Sequence, residues 1–136
     1  MAAFLFADAI MRGEPIKVFN HGDMMRDFTF VDDIVEGIVR LVEKTPEVFQ
    51  GAGGCCARVY NIGNNNPVKL EYFIDLIESE LGRKAVRDYL PLQPGDVPET
   101  YADIDDLVRD VGFKPKTSIE LGVHEFVKWY RGYYGV

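Results

Sequence analysis

The sequence has little positive charge and no long hydrophobic run. Fifteen lysines and arginines stand against 22 aspartates and glutamates, which gives a formal net charge of −7. Because nucleic acids require a basic face, this balance argues against a general nucleic-acid binder, although one or two local cations suffice for a small anion. No apolar run reaches the roughly 18 residues of a membrane span. The apolar start lacks a basic leading region and is interrupted by Asp8, so we do not interpret it as a signal peptide.

Cysteine is scarce as well. The only two are adjacent, Cys55 and Cys56, and neighbouring cysteines rarely pair because disulfide geometry is strained across a single peptide bond. We therefore expect a reduced, cytoplasmic setting. Two thiols without nearby histidines predict no metal site.

Complete catalytic motifs are missing too. No Tyr-x-x-x-Lys and no nucleophile elbow occurs. The glycine run at residues 51–54 does not sit between a strand and a helix start, as a dinucleotide-binding loop must. We expect no catalytic residue, no cofactor site and no metal site within these 136 residues.

What the chain does contain is typical of one mixed α/β domain, since 136 residues with 47% hydrophobic side chains can bury a modest core. Helical periodicity predicts helices at residues 2–12, 33–44 and 71–81, a short helix from Asp103 to Gly112, and a last helix opened by a Thr117–Glu120 capping box. Strands are predicted at residues 16–19, 28–30, 59–62 and 85–90. Asp32 is the expected N-cap of the second helix.

Three residues stand out as candidate ligand contacts, each with an ordinary alternative. Arg26 lies between two methionines and an aromatic run, and its planar guanidinium suits two phosphate oxygens; alternatively it pairs only with Asp23 or Asp27. Phe19 could stack on a base or belong to the core. Asp96 could accept hydrogen bonds from sugar hydroxyls or satisfy its own turn.

Several segments, in this order and spacing, resemble the C-terminal part of the extended short-chain dehydrogenase/reductase family. Within that family the pattern is most similar to the nucleotide-sugar epimerases, and among these to the branch acting on UDP-glucuronate. Each segment is weak singly, but together they span essentially the whole chain. They are MAAFLF (1–6), IKVFNHG (16–22), RDFTFVDDIVEG (26–37), VYNIGNN (59–65), QPGDVPETYAD (93–103) and GFKP (112–115).

The resemblance implies a role for several positions. Residues 16–19 would line the uracil, with Ile16 and Lys17 contributing to the wall and Phe19 beside the ring. Arg26 would hold the diphosphate, and Asp96 would bind the ribose hydroxyls. Gln93 occupies a position where the family often has a second phosphate-binding arginine. Phe30 stands where relatives carry histidine or tyrosine, so no polar role is assigned to it.

The resemblance also implies what lies outside the sequence. Family members carry a Rossmann lobe with the NAD site and the Tyr-x-x-x-Lys, and neither is present in these 136 residues. The chain is thus expected to be the small substrate-binding lobe, with four or five helices and short strands, and residues 31–63 should pack on the Rossmann lobe. Alone it should not turn over, and it should self-associate as a homo-oligomer.

Two other interpretations stay open. The parent enzyme could be a dehydratase or decarboxylase of the same family. Alternatively, the chain could be a non-catalytic nucleotide-binding or assembly module. The partners that we expect are a UDP-sugar and the Rossmann lobe, and neither nucleic acid nor a membrane.

Overall fold

The computed structural model describes residues 2–44 and 57–136, and within them it has five α-helices, four short strands and one 3₁₀ turn. The expected mixed α/β lobe is thereby confirmed. The elements are α1 (Ala2–Arg12), β1 (Pro15–Val18), the 3₁₀ turn (Phe19–Gly22), β2 (Met25–Arg26), α2 (Val31–Val42), β3 (Val68–Lys69), α3 (Leu70–Leu81), β4 (Val86–Tyr89), α4 (Asp105–Val111) and α5 (Ile119–Tyr134).

Helices α1, α3 and α5 pack around one hydrophobic core, to which α3 and α5 contribute the stripes that their periodicity predicts. On α1 the sequence predicts that Phe4, Leu5 and Ala9 share the packed side, which is wrong: Phe6, Ala7 and Ile10 are buried and Leu5 is 62% exposed. Residues spaced three or four apart on each helix share one face, and these residues are the buried ones. Gly82 and Gly112 end α3 and α4 in the left-handed conformation, as the sequence predicts. The core side chains include Phe6, Ile10, Phe73, Ile74, Ile77, Val123, Val127 and Tyr130.

A parallel pair of strands covers one side of this core. Strand β1 pairs with β4, with Ile16 opposite Arg87 and Val18 opposite Tyr89. The side chains alternate along β1, so Ile16 and Val18 are buried while Lys17 is exposed. Because the strands are parallel, their carboxyl ends meet at one edge, and the 3₁₀ turn and residues 90–98 both leave from it.

An ion-pair network centred on the buried Glu78 ties β4 to α3. The carboxylate of Glu78 accepts hydrogen bonds from Lys84 Nζ (2.6 Å), the Ala85 N–H (3.2 Å) and Arg87 Nη2 (2.7 Å). Arg87 Nη2 also pairs with Asp75 at 2.6 Å. Burial disfavours the charge on Glu78, but the donated hydrogen bonds outweigh it and the pKa of Glu78 lies below its usual value.

The second pair of strands is antiparallel and joins distant parts of the chain. Met25 lies opposite Lys69 and Arg26 opposite Val68, and Met25 also bridges to Glu99 in parallel. The strand therefore lies at residues 25–26, so the predicted strand at 28–30 is wrong. Phe28 instead turns into the core and stacks on Phe73, with ring centroids 4.0 Å apart.

Three further local predictions are wrong for physical reasons. Residues 59–62 form no strand, because no described segment runs beside them to complete a hydrogen-bond ladder. Phe30 precedes α2 as its N-cap residue, so Asp32 lies in the first turn. Ser118 caps α5 by accepting from the Leu121 N–H at 3.3 Å, and Glu120 accepts from the Tyr72 hydroxyl instead. The cysteine pair and the glycine run at 51–54 lie outside the described residues.

The Asp27 carboxylate holds three segments together next to Arg26. It accepts hydrogen bonds from the N–H groups of Asn65 (3.0 Å), Asn66 (3.3 Å) and Ala102 (3.2 Å). The Asp27 N–H in turn donates to Thr100 Oγ1 at 3.2 Å. Sequence reasoning considered Asp27 only as a partner for Arg26 and missed this role.

Two glycines mark close approaches of very different tightness. A Cβ at Gly63 would lie 2.3 Å from Ala102 Cβ, closer than real Cβ atoms come to a neighbour. It would also lie 3.0 Å from Asp27 Oδ2, which is a tight contact. A Cβ at Gly37, inside α2, would meet Ile62 and Phe113 at an ordinary 3.5 Å. Gly37 does pack against Ile62 and Phe113, but a methyl group fits there, so close packing does not explain why this position is a glycine.

Much of the apolar stripe of α2 remains exposed. Ile34 and Leu41 are half-buried, but Val35 is 52% exposed and Val42 is 80% exposed. On the opposite side of the helix, the buried Asp33 accepts a hydrogen bond from the Thr117 N–H at 2.9 Å. The helix is therefore anchored on one side and presents a contiguous apolar surface on the other.

In the described part of the chain no helix is both long and apolar enough to cross a bilayer.

The exposed stripe predicts that the 136-residue chain self-associates and binds a hydrophobic dye. Val35→Lys should reduce both effects because it puts a charge in the middle of the apolar surface. Leu121→Lys is the matched control: Leu121 lies on α5 and is 53% exposed. Gel filtration and dye fluorescence measure the outcome. A monodisperse wild-type monomer that binds no dye contradicts this prediction.

The two glycines predict opposite effects of the same substitution. Gly63→Ala should lower the free energy of unfolding by about 1–3 kcal/mol, the cost of overpacking. Gly37→Ala should raise it by about 0.5–1 kcal/mol, because alanine favours a helix interior and its methyl group fits. Urea denaturation measures both. Ala102→Gly in the Gly63→Ala background should recover part of the loss; equal effects of the two single variants would contradict this packing.

Candidate functional site

Arg26 and Asp96, separated by 70 positions in the sequence, meet in the structure. Arg26 Nη2 lies 3.1 Å from Asp96 Oδ1, and the two side chains are 21% and 34% exposed. Arg26 Nη1 also donates to the carbonyl oxygens of Met25 (2.8 Å) and Pro98 (3.1 Å). Within the described residues Arg26 pairs with neither Asp23 nor Asp27, so the alternative of a purely local ion pair is wrong.

Main-chain hydrogen bonds bring the Asp96 loop to β2. The Met25 N–H donates to the Pro98 carbonyl at 2.8 Å, and the Thr100 N–H donates to the Met25 carbonyl at 3.1 Å. Asp96 Oδ1 also accepts from the Val97 N–H at 3.0 Å. Asp96 thus satisfies its own turn and pairs with Arg26 at the same time. The guanidinium and the carboxylate are held side by side at a partly exposed surface.

Phe19 and Gln93 lie in the two segments that follow β1 and β4, which start at the common edge of these strands. Phe19 directly follows β1 and is half-buried. The Leu90 N–H donates to the Val18 carbonyl (2.9 Å) and the His21 N–H donates to the Leu90 carbonyl (3.0 Å), which ties the 3₁₀ turn to the start of the loop. Gln93 is exposed, and its carbonyl accepts from the Asp96 N–H at 3.1 Å. Phe19 and the loop that leads through Gln93 to Asp96 therefore start from the same edge.

The two remaining candidate residues lie before that edge. The side chain of Ile16 is buried in the core and Lys17 points outward from the middle of β1. For Ile16, a contact with a ligand would have to run through the main chain. Phe30 lies elsewhere, against Gly122 of α5, where it lines an apolar groove of about 730 Å³ with Phe28 and Trp129.

Among residues 2–44 and 57–136 no group of three or more metal-ligating side chains occurs. What the described site offers is one guanidinium with directional donors, one carboxylate with an acceptor edge, and a half-buried ring. Such groups bind and orient an anionic ligand that has hydroxyl groups and a flat ring.

Comparison with known proteins gives one consistent picture. The model of the family described as GDP-mannose 4,6 dehydratase matches residues 4–126. Protein CapI of Staphylococcus aureus is 54% identical, over 98% of this chain and 43% of CapI. The probable UDP-glucuronate 4-epimerase of Rhizobium meliloti is 44% identical, over 96% of this chain and 41% of its own length.

A solved structure gives the same result. The UDP-glucuronic acid 4-epimerase of Bacillus cereus, in complex with UDP-glucuronic acid and NAD, superposes with a TM-score of 0.78 at 25% identity. The match covers 96% of this chain and 40% of that one. The chain thus spans about two-fifths of the length of the proteins it matches. It belongs to the extended short-chain dehydrogenase/reductase family, in the group of NAD-dependent epimerases and dehydratases, and corresponds to the C-terminal part of its members.

Proposed function

We propose that this chain is the UDP-sugar-binding part of an NAD-dependent nucleotide-sugar epimerase that acts on UDP-glucuronate. The observation that carries the proposal is the meeting of Arg26 and Asp96 at 3.1 Å, where Asp96 lies on the loop that starts from the carboxyl end of β4. In this proposal Arg26 binds the diphosphate, Asp96 the ribose hydroxyls and Phe19 the uracil ring, with Gln93 near the phosphates. Ile16 and Lys17 contribute to the uracil wall.

The choice of UDP-glucuronate rests on the relatives. One is a probable UDP-glucuronate 4-epimerase at 44% identity, and the Bacillus cereus enzyme is described in complex with UDP-glucuronic acid and NAD. The reaction in such an enzyme is oxidation of C4 to a ketone by bound NAD, presentation of the opposite face of the ring, and return of the hydride. The chain described here contributes binding energy through the nucleotide, which positions the reacting sugar from a distance.

NAD chemistry in this proposal belongs to a Rossmann lobe outside these 136 residues. The exposed stripe of α2, with Val35 and Val42, is the surface on which that lobe would pack, together with the segment up to residue 63. The isolated chain has no Tyr-x-x-x-Lys, so we expect it to be inactive by itself.

A second candidate reaction has its own support. The matching family model is described as a GDP-mannose 4,6 dehydratase, and a dehydratase would use the same nucleotide contacts. A decarboxylase of the same family is a further variant of this candidate. A non-catalytic nucleotide-binding or assembly module is the third candidate, and UDP binding without turnover by the complete polypeptide would favour it.

The proposed diphosphate contact predicts a specific loss of UDP affinity. Arg26→Ala should weaken UDP binding by about 1.5–3 kcal/mol, or roughly 10- to 150-fold, the range for a hydrogen bond to a charged group. Isothermal titration calorimetry on the full polypeptide that carries this chain measures the effect.

Lys69→Ala is the matched control for Arg26→Ala. Lys69 lies opposite Met25 in the two-stranded sheet, so its side chain leaves the face opposite to that of Arg26. The Lys69→Ala substitution removes one positive charge, as Arg26→Ala does. It should change UDP affinity by less than about twofold, as expected for an exposed charge that is screened by salt. Equal losses in the two variants would show that only the general charge matters and would contradict the assigned contact.

The proposed reaction predicts that the full polypeptide converts UDP-glucuronate into its C4 epimer without net consumption of NAD. Proton NMR of the product sugar follows the inversion at C4. The 136-residue chain alone should give no product. Formation of a 4-keto-6-deoxy sugar from a nucleotide hexose, or loss of carbon dioxide from UDP-glucuronate, would replace the epimerase by the second candidate. Turnover by the 136-residue chain would contradict the expected inactivity.

A further inference from the structure

The guanidinium of Arg26 makes two kinds of contact, and they have different consequences for a ligand. Nη1 donates to the main-chain carbonyl oxygens of Met25 and Pro98, whereas Nη2 donates to the Asp96 carboxylate at 3.1 Å and weakly to the Met24 sulfur at 3.8 Å. The carbonyl contacts fix the position of the guanidinium on β2. The contact with Asp96 neutralises the charge that an anionic ligand would seek.

Asp96 is therefore placed where it opposes the function proposed for Arg26. A carboxylate oxygen 3.1 Å from Nη2 occupies the donor edge that a phosphate oxygen needs. The same oxygen accepts from the Val97 N–H, and within the described residues Asp96 Oδ2 has no hydrogen bond. The loop approaches β2 through main-chain contacts at Pro98 and Thr100, so a rotation of the Asp96 side chain does not require the loop to detach.

We propose that Asp96 is the counter-ion of Arg26 and that a nucleotide diphosphate exchanges this partner. This inference rests on the proposed function. A phosphate oxygen takes the place of Asp96 Oδ1 on Arg26 Nη2, and the released carboxylate turns to the ribose hydroxyls. Arg26 keeps its position throughout, because the two carbonyl contacts of Nη1 are not broken.

The exchange couples recognition of the phosphate to recognition of the ribose. A free nucleoside must compete with Arg26 for the Asp96 carboxylate. A free phosphate must displace that carboxylate, which then gains no ribose hydroxyls in return. Only a molecule that carries both groups satisfies Arg26 and Asp96 together, so the ion pair makes the site selective for nucleotides over their two halves. In this account Asp96 acts as a specificity-determining and positioning residue as well as a direct contact.

The first test uses calorimetry on the full polypeptide with inorganic pyrophosphate and UDP as ligands. Asp96→Asn should bind pyrophosphate about 3- to 10-fold tighter than wild type, because it removes the competing negative charge at close range, and should bind UDP more weakly. Asp23→Asn is the charge-matched control, since Asp23 lies three positions before Arg26 and makes no ion pair with it among the described residues. It should leave both affinities within about twofold of wild type, because an exposed charge is screened by salt.

The second test needs no variant. Because binding free energies of two ligands are linked reciprocally, saturating orthophosphate should raise the affinity of the wild-type protein for uridine, by about threefold or more. The increase should be absent in Asp96→Asn. A purely structural role of Asp96 would not produce this linkage.

The outcomes separate the exchange from the proposed function. If wild type binds UDP but Asp96→Asn binds pyrophosphate no tighter, or orthophosphate leaves uridine affinity unchanged or lowers it, the exchange is overturned and the proposed function stands. If wild type binds no UDP, the proposed function is overturned and the exchange with it.

Discussion

The Asp27 carboxylate is the constraint on which the site depends. It gathers N–H groups from the turn after Gly63 and from Ala102, and it does so at the position next to Arg26. These donors come from segments 38 to 75 residues away in the sequence, so one side chain fixes their relative positions. A charge-assisted hydrogen bond of this kind is stronger than a neutral one. The absence of a side chain at Gly63 is what lets Ala102 approach closely enough to complete the arrangement.

With that junction in place, the geometry of the site follows. The segment from Pro98 to Thr100 lies beside Met25, and the Asp96 loop that precedes it faces the guanidinium. The parallel pairing of β1 and β4 places Phe19 and the start of the same loop at one edge. The residues that we assign to uracil, ribose and phosphate thus come from elements held by main-chain hydrogen bonds, and this rigidity lowers the entropy cost of ordering them around a ligand.

The sequence predicts some of this well, for reasons that can be stated. The helices depend on local periodicity, so the stripes of α3 and α5 and the glycine ends at Gly82 and Gly112 are confirmed. The strands depend on a distant partner, and the predictions at residues 28–30 and 59–62 are wrong because local composition does not contain that partner. The cap of α5 differs by one residue: Thr117 and Ser118 are both favoured cap types, and the structure uses Ser118, the better of the two by type.

The candidate site divides in the same way. Local sequence and the resemblance to a family identify Arg26, Phe19 and Asp96 as candidates. The sequence around residue 26 and the sequence around residue 96 do not indicate that Arg26 and Asp96 are in contact. Asp27 was missed because an aspartate beside an arginine is most simply explained as a local ion pair. A carboxylate in an otherwise apolar and aromatic stretch, followed far along the chain by a Gly-Asn-Asn turn, is the signal that could have identified it.

The most direct test of the account is a crystal structure of the full polypeptide with UDP bound. In that structure we expect diphosphate oxygens within hydrogen-bond distance of the Arg26 guanidinium, the Asp96 carboxylate on the ribose hydroxyls, and the uracil beside Phe19. A UDP molecule bound elsewhere, with Arg26 and Asp96 remote from its phosphates and its ribose, would contradict it.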